Sequence, residues 1–258
     1  MRIILTSVDS KLTFAWRQYC GDLDFVKIHH GSILDLACDA IVSPANGFGF
    51  MDGGIDHLYT EHFGAKVQVR LQTWIRERHH GELLVGQAEI VGTDDPRIPY
   101  LIAAPTMRLP VVLDDKTVNA YLAARAVFLL IRHDRFPEGE HEGRLIADVV
   151  KSVAFPGLGT GTGDLSPEIC ARQMRAAIED FVLGKYVFPS SWMEEHERTR
   201  RFFLVKGKPP KIAGLLPSKS PRKCSMKTSP TSTAKTPTSS AARPARKCGP
   251  FPNVCWLR

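Results

Sequence analysis

The sequence predicts an α/β fold with a mainly parallel sheet covered on both faces by helices. Three observations predict it. Short apolar runs alternate with amphipathic helical stretches as far as about residue 183, the order that feeds strands and covering helices in turn. Two of the runs, Asp39–Ser43 and Val149–Phe155, have the apolar character of strands buried on both faces. Each runs into a glycine-bearing loop and then a helical pattern: Gly47 to Gly54 after the first, Gly157 to Gly163 after the second.

The elements follow in order. Residues 1–6 and 25–30 read as strands, with a helical stretch from Ser7 to Tyr19 between them. Asp39–Ser43 is a short strand that ends at Pro44. From Ile55 to His80 the pattern is helical: Val67, Leu71, Trp74 and Ile75 recur at helix spacing, and Gly81 is a stop signal. Gln87–Gly92 and Tyr100–Ala104 are further strands. Thr117–His133 carries an apolar stripe of Val118, Leu122, Ala126, Leu129 and Leu130. Val149–Phe155 is the last strand. Ser166-Pro167-Glu168 opens the last helix, to about Leu183, with an N-cap hydroxyl, proline at the first helical position and an acid in the first turn.

Composition narrows the function classes. The chain has 258 residues, 43% hydrophobic, with a net charge of +7. Twelve of the 34 basic residues lie in 206–258, which contains no acid; residues 1–205 therefore hold 22 basic against 27 acidic groups, a net −5. The positive charge belongs to the last segment, and whole-chain charge is no reason to expect nucleic-acid binding by the globular part. Nine of the 18 prolines also fall in 206–258, among Ser, Thr, Lys and Arg. Such a segment buries too little apolar surface to offset its ordering entropy, so it is expected to be a disordered tail. The expected domains are 1–205 and 206–258. None of the six cysteines has CxxC spacing, and Cys38 and Cys170 fall in apolar or helical patterns that suit buried thiols. Met1-Arg-Ile-Ile-Leu-Thr6 is too short for a signal peptide, and charges interrupt each apolar run well short of a membrane span. A cytoplasmic or otherwise intracellular protein is expected, not secreted, monomeric and without membrane contact. His29-His30 and His79-His80 are adjacent pairs, and His57 and His62 are five apart, so none shares a helical face at ligand spacing. No metal and no cofactor is expected.

The two loops have the chemistry of a phosphate cradle. Glycine lets backbone N–H groups approach an anion without side chains in the way, and a helix N-terminus adds a favourable dipole. Gly157, Gly159, Gly161 and Gly163 do this at alternate positions, and Gly53 and Gly54 do it before the helix at Ile55. Neither loop ends in Gly-Lys-Ser/Thr, and neither matches the dinucleotide GxGxxG with its distal acid.

In order and spacing these segments resemble the macro domain family, over about residues 23–185. Gly31-Ser-Ile-Leu34 stands where the family has Gly-Asp-Ile-Thr, and Asp39-Ala-Ile-Val-Ser-Pro-Ala-Asn46 where it has Asp-Ala-Ile-Val-Asn-Ala-Ala-Asn. Gly53-Gly-Ile-Asp56 stands for Gly-Gly-Val-Asp, Leu84–Ile90 for the strand with Gly-x-Ala, and Phe155-Pro156 through Gly163 for the second loop. The resemblance implies a three-layer α/β/α sandwich with a mixed, mostly parallel sheet and a cleft for ADP-ribose. Asn46 and Asp56, ten residues apart, resemble the hydrolytic branch.

The resemblance also implies residue roles. Asp56 would be the catalytic acid-base group, orienting or deprotonating a water or ribose hydroxyl near the anomeric carbon, with Asn46 on the distal ribose. Ser32 and Ile33 would meet the adenine, with Ser32 in place of the family's aspartate and Asp35 nearby. Ala45, Gly53, Gly54 and Ile55 would form one wall. Gly157, Leu158, Gly159, Thr160, Gly161, Thr162 and Gly163 would hold the diphosphate. The family often has an aromatic in this second loop; Thr162-Gly163-Asp164 has none, and Phe48 or Phe50 would substitute. Asp164 would turn away from the phosphates to cap the next helix, and Arg108 is read as a surface residue. Met51 and Asp52 replace family glycines and make the first loop bulkier.

Three functions follow. The first is hydrolysis of ADP-ribosyl esters, removing mono-ADP-ribose from acidic residues of proteins, or of O-acetyl-ADP-ribose. The second is non-catalytic reading of ADP-ribose. The third is a tether in which the basic tail makes weak contact with nucleic acid or a partner. The expected partner is ADP-ribose or an ADP-ribosylated protein.

Overall fold

Six strands form one sheet in the computed structural model, which describes residues 1–44 and 46–203. In chain order the elements are β1 (Arg2–Ser7), α1 (Ser10–Cys20), β2 (Val26–His30), β3 (Ala40–Ser43), α2 (Gly54–Phe63), α3 (Lys66–Arg78), β4 (Glu89–Gly92), β5 (Tyr100–Ala103), α4 (Asn119–His133), α5 (Ile146–Val149), β6 (Ser152–Phe155), α6 (Pro167–Ala177) and α7 (Trp192–Arg200). The sheet order is β2-β1-β6-β3-β5-β4. Neighbours pair in parallel except β4, which runs antiparallel to β5.

Strand alternation divides the core into two layers. Ile3, Leu5, Val42, Ile102, Val153 and Phe155 face one side, against α1, α4 and α6. Ile4, Ile41, Leu101 and Ala154 face the other, against α2 and α3. This is the expected three-layer sandwich with a mixed, mostly parallel sheet. Asp39 fixes the junction of β3 and β6: its Oδ2 accepts from the backbone N–H of Lys151 and Ser152 and from Ser152 Oγ, each at 2.8–2.9 Å. Glu89, buried on β4, accepts from Arg78 Nη1 and pairs with His79 Nε2, tying the edge strand to the end of α3.

Two expectations are corrected, the final helix holds to its expected end with a change of winding, and one further element is found. The helical stretch 55–80 is two helices, because Gly64 adopts φ +81 between α2 and α3. The last strand starts at Ser152; residues before it form the short α5, with Val150 N–H bonded to Ile146 O. The final predicted helix is α6 followed by one π turn, Ile178–Val182. α7 was not expected: it buries no residue, so it has no apolar stripe to read, and Ser191 caps it by accepting from Glu194 N. Cys20, Cys38 and Cys170 are buried thiols. The expected boundary at 205 and the segment 206–258 lie outside the described residues. No described helix is long and apolar enough to cross a membrane.

Candidate functional site

The parallel strands β2, β1, β6, β3 and β5 all end at one edge of the sheet, so the loops that follow them meet there. A cleft of about 760 Å³ runs along that edge. Its middle lies after β6 and its two ends after β2 and β1 and after β3 and β5.

The middle is built from backbone donors. Among the described residues, the backbone N–H groups of Gly157 and of Gly159 to Gly163 have no acceptor, while that of Leu158 turns inward to the Cys170 sulfur. Gly159 holds φ +74, and a Cβ on Gly163 would meet Gly159 O at 2.5 Å, so the loop curls too tightly for side chains there. Carbonyls close the curl: Gly159 O accepts from Leu165 N at 3.0 Å and Gly161 O from Asp164 N at 2.9 Å. Across the cleft, the first-turn N–H groups of Gly54, Ile55 and Asp56 in α2 have no acceptor among the described residues. The two loops thus present free donors and a helix N-terminus to the same space, as an anionic diphosphate requires.

Asp56 sits at the inner end of that helix terminus. It is only 8% exposed yet still lines the cleft. Ser43, the last residue of β3, donates its Oγ–H to Asp56 Oδ1 at 2.5 Å. Burial pushes the Asp56 carboxyl up to about 6, and the Ser43 hydrogen bond opposes part of that rise. Beneath it Tyr59 is fully buried and donates to Val42 O at 3.1 Å. Burial, and then the nearby Asp56 charge, keep its phenol protonated.

Asn46 lines the cleft, but its amide braces the loop. Its Nδ2 donates to Phe50 O at 2.8 Å, and its Oδ1 accepts from Phe48 N and Phe50 N at 3.1 and 3.2 Å. Gly53, Gly54, Ile55, Gly157, Gly159, Thr160, Gly161, Thr162 and Gly163 all face the cleft, as do Ser32 and Ile33. Leu158 does not: it is fully buried in the core beneath the loop, because its side chain takes the strand-side position the curl leaves pointing inward. Ala45 lies outside the described residues. Met51 is also fully buried, packed with Tyr59 and Leu71, so it does not bulk out the first loop; Asp52 is exposed and lines the cleft. Of the two phenylalanines, Phe50 reaches the cleft, while Phe48 lies under the Arg108 guanidinium at 5.1 Å. Arg108 pairs with Glu82, as a surface arginine. Asp164 lines the cleft at φ +50 and does not cap α6; Ser166 does, accepting from Ile169 N.

At the end after β1 and β2, Ser32 Oγ is engaged as the cap of the turn Ile33–Asp35, accepting from Leu34 N at 3.2 Å. Asp35 is not on the cleft wall, but Asp9 is. Asp9 caps α1 through Oδ1, which accepts from Lys11 N at 2.9 Å. Sequence reading passed over Asp9, Thr106, Met107 and Pro110 in this cleft. The signal for Asp9 was its place after a parallel strand at the ligand edge. Among the described residues no His, Cys, Asp or Glu side chains converge as a metal site.

The chain belongs to the macro domain family, whose model matches residues 42–174. An uncharacterised protein of Aquifex aeolicus is 29% identical over 157 residues, 60% of this chain and 82% of that one. An uncharacterised protein of Pyrobaculum aerophilum is 25% identical over 159 residues, 60% of this chain and 75% of that one. Similar solved structures include the macrodomain of Mycobacterium tuberculosis DarG, at 20% identity and TM-score 0.46 over 58% of this chain and 87% of that one. The Trypanosoma brucei macrodomain in complex with ADP-ribose shows 18% identity and TM-score 0.42, over 58% of this chain and 56% of that one.

Proposed function

We propose that this chain binds ADP-ribose along the cleft and hydrolyses ADP-ribosyl esters, freeing ADP-ribose from protein carboxylates or from O-acetyl-ADP-ribose. The observation that carries the reading is Asp56: a buried carboxylate, held by Ser43, at the wall between two sets of unpaired backbone donors. The diphosphate takes those donors. Adenosine lies toward β1 and β2, and the distal ribose toward Asn46, Phe50 and Thr106.

In the reaction, ionised Asp56 accepts a proton from a water whose oxygen bonds to the electrophilic carbon of the ester. The ester C–O bond breaks, its electron pair goes to the leaving oxygen, which takes the proton back from Asp56, and the products are ADP-ribose and a carboxylic acid. Such esters are labile, so positioning and modest activation suffice. The rate should rise with pH through about 6 as the carboxylate forms.

The adenine amino group is a donor and needs an acceptor. Asp9 supplies a carboxylate on that wall, where Ser32 replaces the family's acid. Asp9→Asn keeps the cap on α1 and removes the charge. It should weaken ADP-ribose binding by about tenfold, in the range of a lost charge-assisted hydrogen bond. Titration calorimetry checks this; unchanged affinity would place the adenine elsewhere.

The deciding experiment is a time course of ADP-ribose release from a protein modified on glutamate and aspartate, beside Asp56→Ala. Equal rates for both would sink the hydrolase reading. A second reading, a reader of ADP-ribose without chemistry, draws on Asn46, whose amide is occupied by the loop. Micromolar binding with no turnover of either ester would select it.

A further inference from the structure

The segment between β5 and α4 crosses the mouth of the cleft. One end is held by the bridge of Asn46 with Met107 and by Gly47 N–H on Arg108 O at 3.0 Å. The other is held by Leu113 N–H on Gly163 O at 2.8 Å. Between these anchors Pro110 lines the cleft, while Leu109, Val111 and Val112 are 51%, 54% and 68% exposed. On the facing wall Phe50 and Leu58, both cleft-lining, are also about half exposed. Large apolar side chains grouped at a binding cleft and left in water mark a contact surface.

Resting on the ADP-ribose reading above, this is the end where the distal ribose meets whatever carries it. We propose that this apolar rim is the docking surface for the polypeptide bearing the ADP-ribosyl group. Continuity with the cleft identifies the occupant: the carrier must leave past these side chains. Charge selects its class. Asp52 and Asp164 stand in the cleft wall, Asp114 and Asp115 outnumber Lys116 on the crossing segment, and Arg108 is paired with Glu82 at 2.6 Å. A phosphate backbone would be repelled there. An apolar or basic stretch of polypeptide is matched, with an apolar centre and a polar rim.

The test uses the full chain carrying Asp56→Asn, so that the ester persists. Dissociation constants are measured for free ADP-ribose, for a protein mono-ADP-ribosylated on glutamate, and for an ADP-ribosylated single-stranded oligonucleotide. The protein should bind about tenfold more tightly than free ADP-ribose, the scale of burying one aliphatic side chain. Val111→Ser with Val112→Ser should erase that advantage and leave free ADP-ribose binding and Tm unchanged. Equal affinity for free and protein-linked forms, an equal loss on both in the double variant, or tightest binding of the oligonucleotide would overturn the proposal. Failure of the wild-type chain to bind free ADP-ribose would instead bring down the ADP-ribose reading, and the docking surface with it.

Discussion

Asp56 combines two demands that pull against each other. Burial at 8% exposure shields it from bulk solvent while leaving it on the cleft wall, and the same burial raises its carboxyl from an ordinary 3.8 to about 6. The folded chain therefore holds that proton more tightly than the unfolded chain does. Between those two values the unfolded state binds fewer protons, so stability falls as pH rises and the full deficit stands above about pH 6. Asp56→Asn, which can still accept from Ser43, should raise stability at pH 7.5 by on the order of 1–3 kcal/mol and change little below about pH 4. Calorimetric melts at the two pH values check the sign. The same variant should lower ester turnover by about a hundredfold or more while ADP-ribose binding persists. Ser43 tunes the same group: Ser43→Ala removes the hydrogen bond that favours the charged form. The midpoint of the pH–rate profile should move upward, with Ser43→Thr restoring it; an unshifted midpoint would make Ser43 a packing residue only.

At the scale of elements, the loop after β6 has positions that serve its own shape and positions that serve a ligand. A Cβ on Gly163 would strike Gly159 O at 2.5 Å and Leu113 Cδ1 at 2.9 Å, whereas Gly161 has nothing within 4 Å. Gly163→Ala should lower Tm and ADP-ribose affinity together. Gly161→Ala should leave Tm unchanged and still weaken binding by about tenfold, because a methyl group then stands between the backbone donors and the phosphate. Melting and binding measured on both variants separate the two roles. Local signals marked the elements well where caps and stop residues are chemical, as with Ser166-Pro167-Glu168 and Gly81. They failed at Gly64, where an apolar pattern continues across a backbone reversal, and at α7, which packs no face into the core.

For the whole molecule, each described residue lining the cleft lies between Thr6 and Pro167. A chain ending at residue 203 should bind ADP-ribose with the affinity of the full chain, measured by calorimetry; a weaker fragment would assign the last segment a share in the site. The apolar patterning of strands and helices and the spacing of glycines, Asn46 and Asp56 determined the sandwich, the family and the general position of the cleft, because burial and backbone approach leave periodic and compositional marks along a chain. The facing of individual side chains was decided only in three dimensions. Leu158 and Met51 turn inward, Asn46 binds its own loop, and Asp9 reaches the cleft from the turn between β1 and α1. Those outcomes depend on which atoms of separate elements compete for the same space and hydrogen bonds, and that competition exists only once the sheet has brought the elements together.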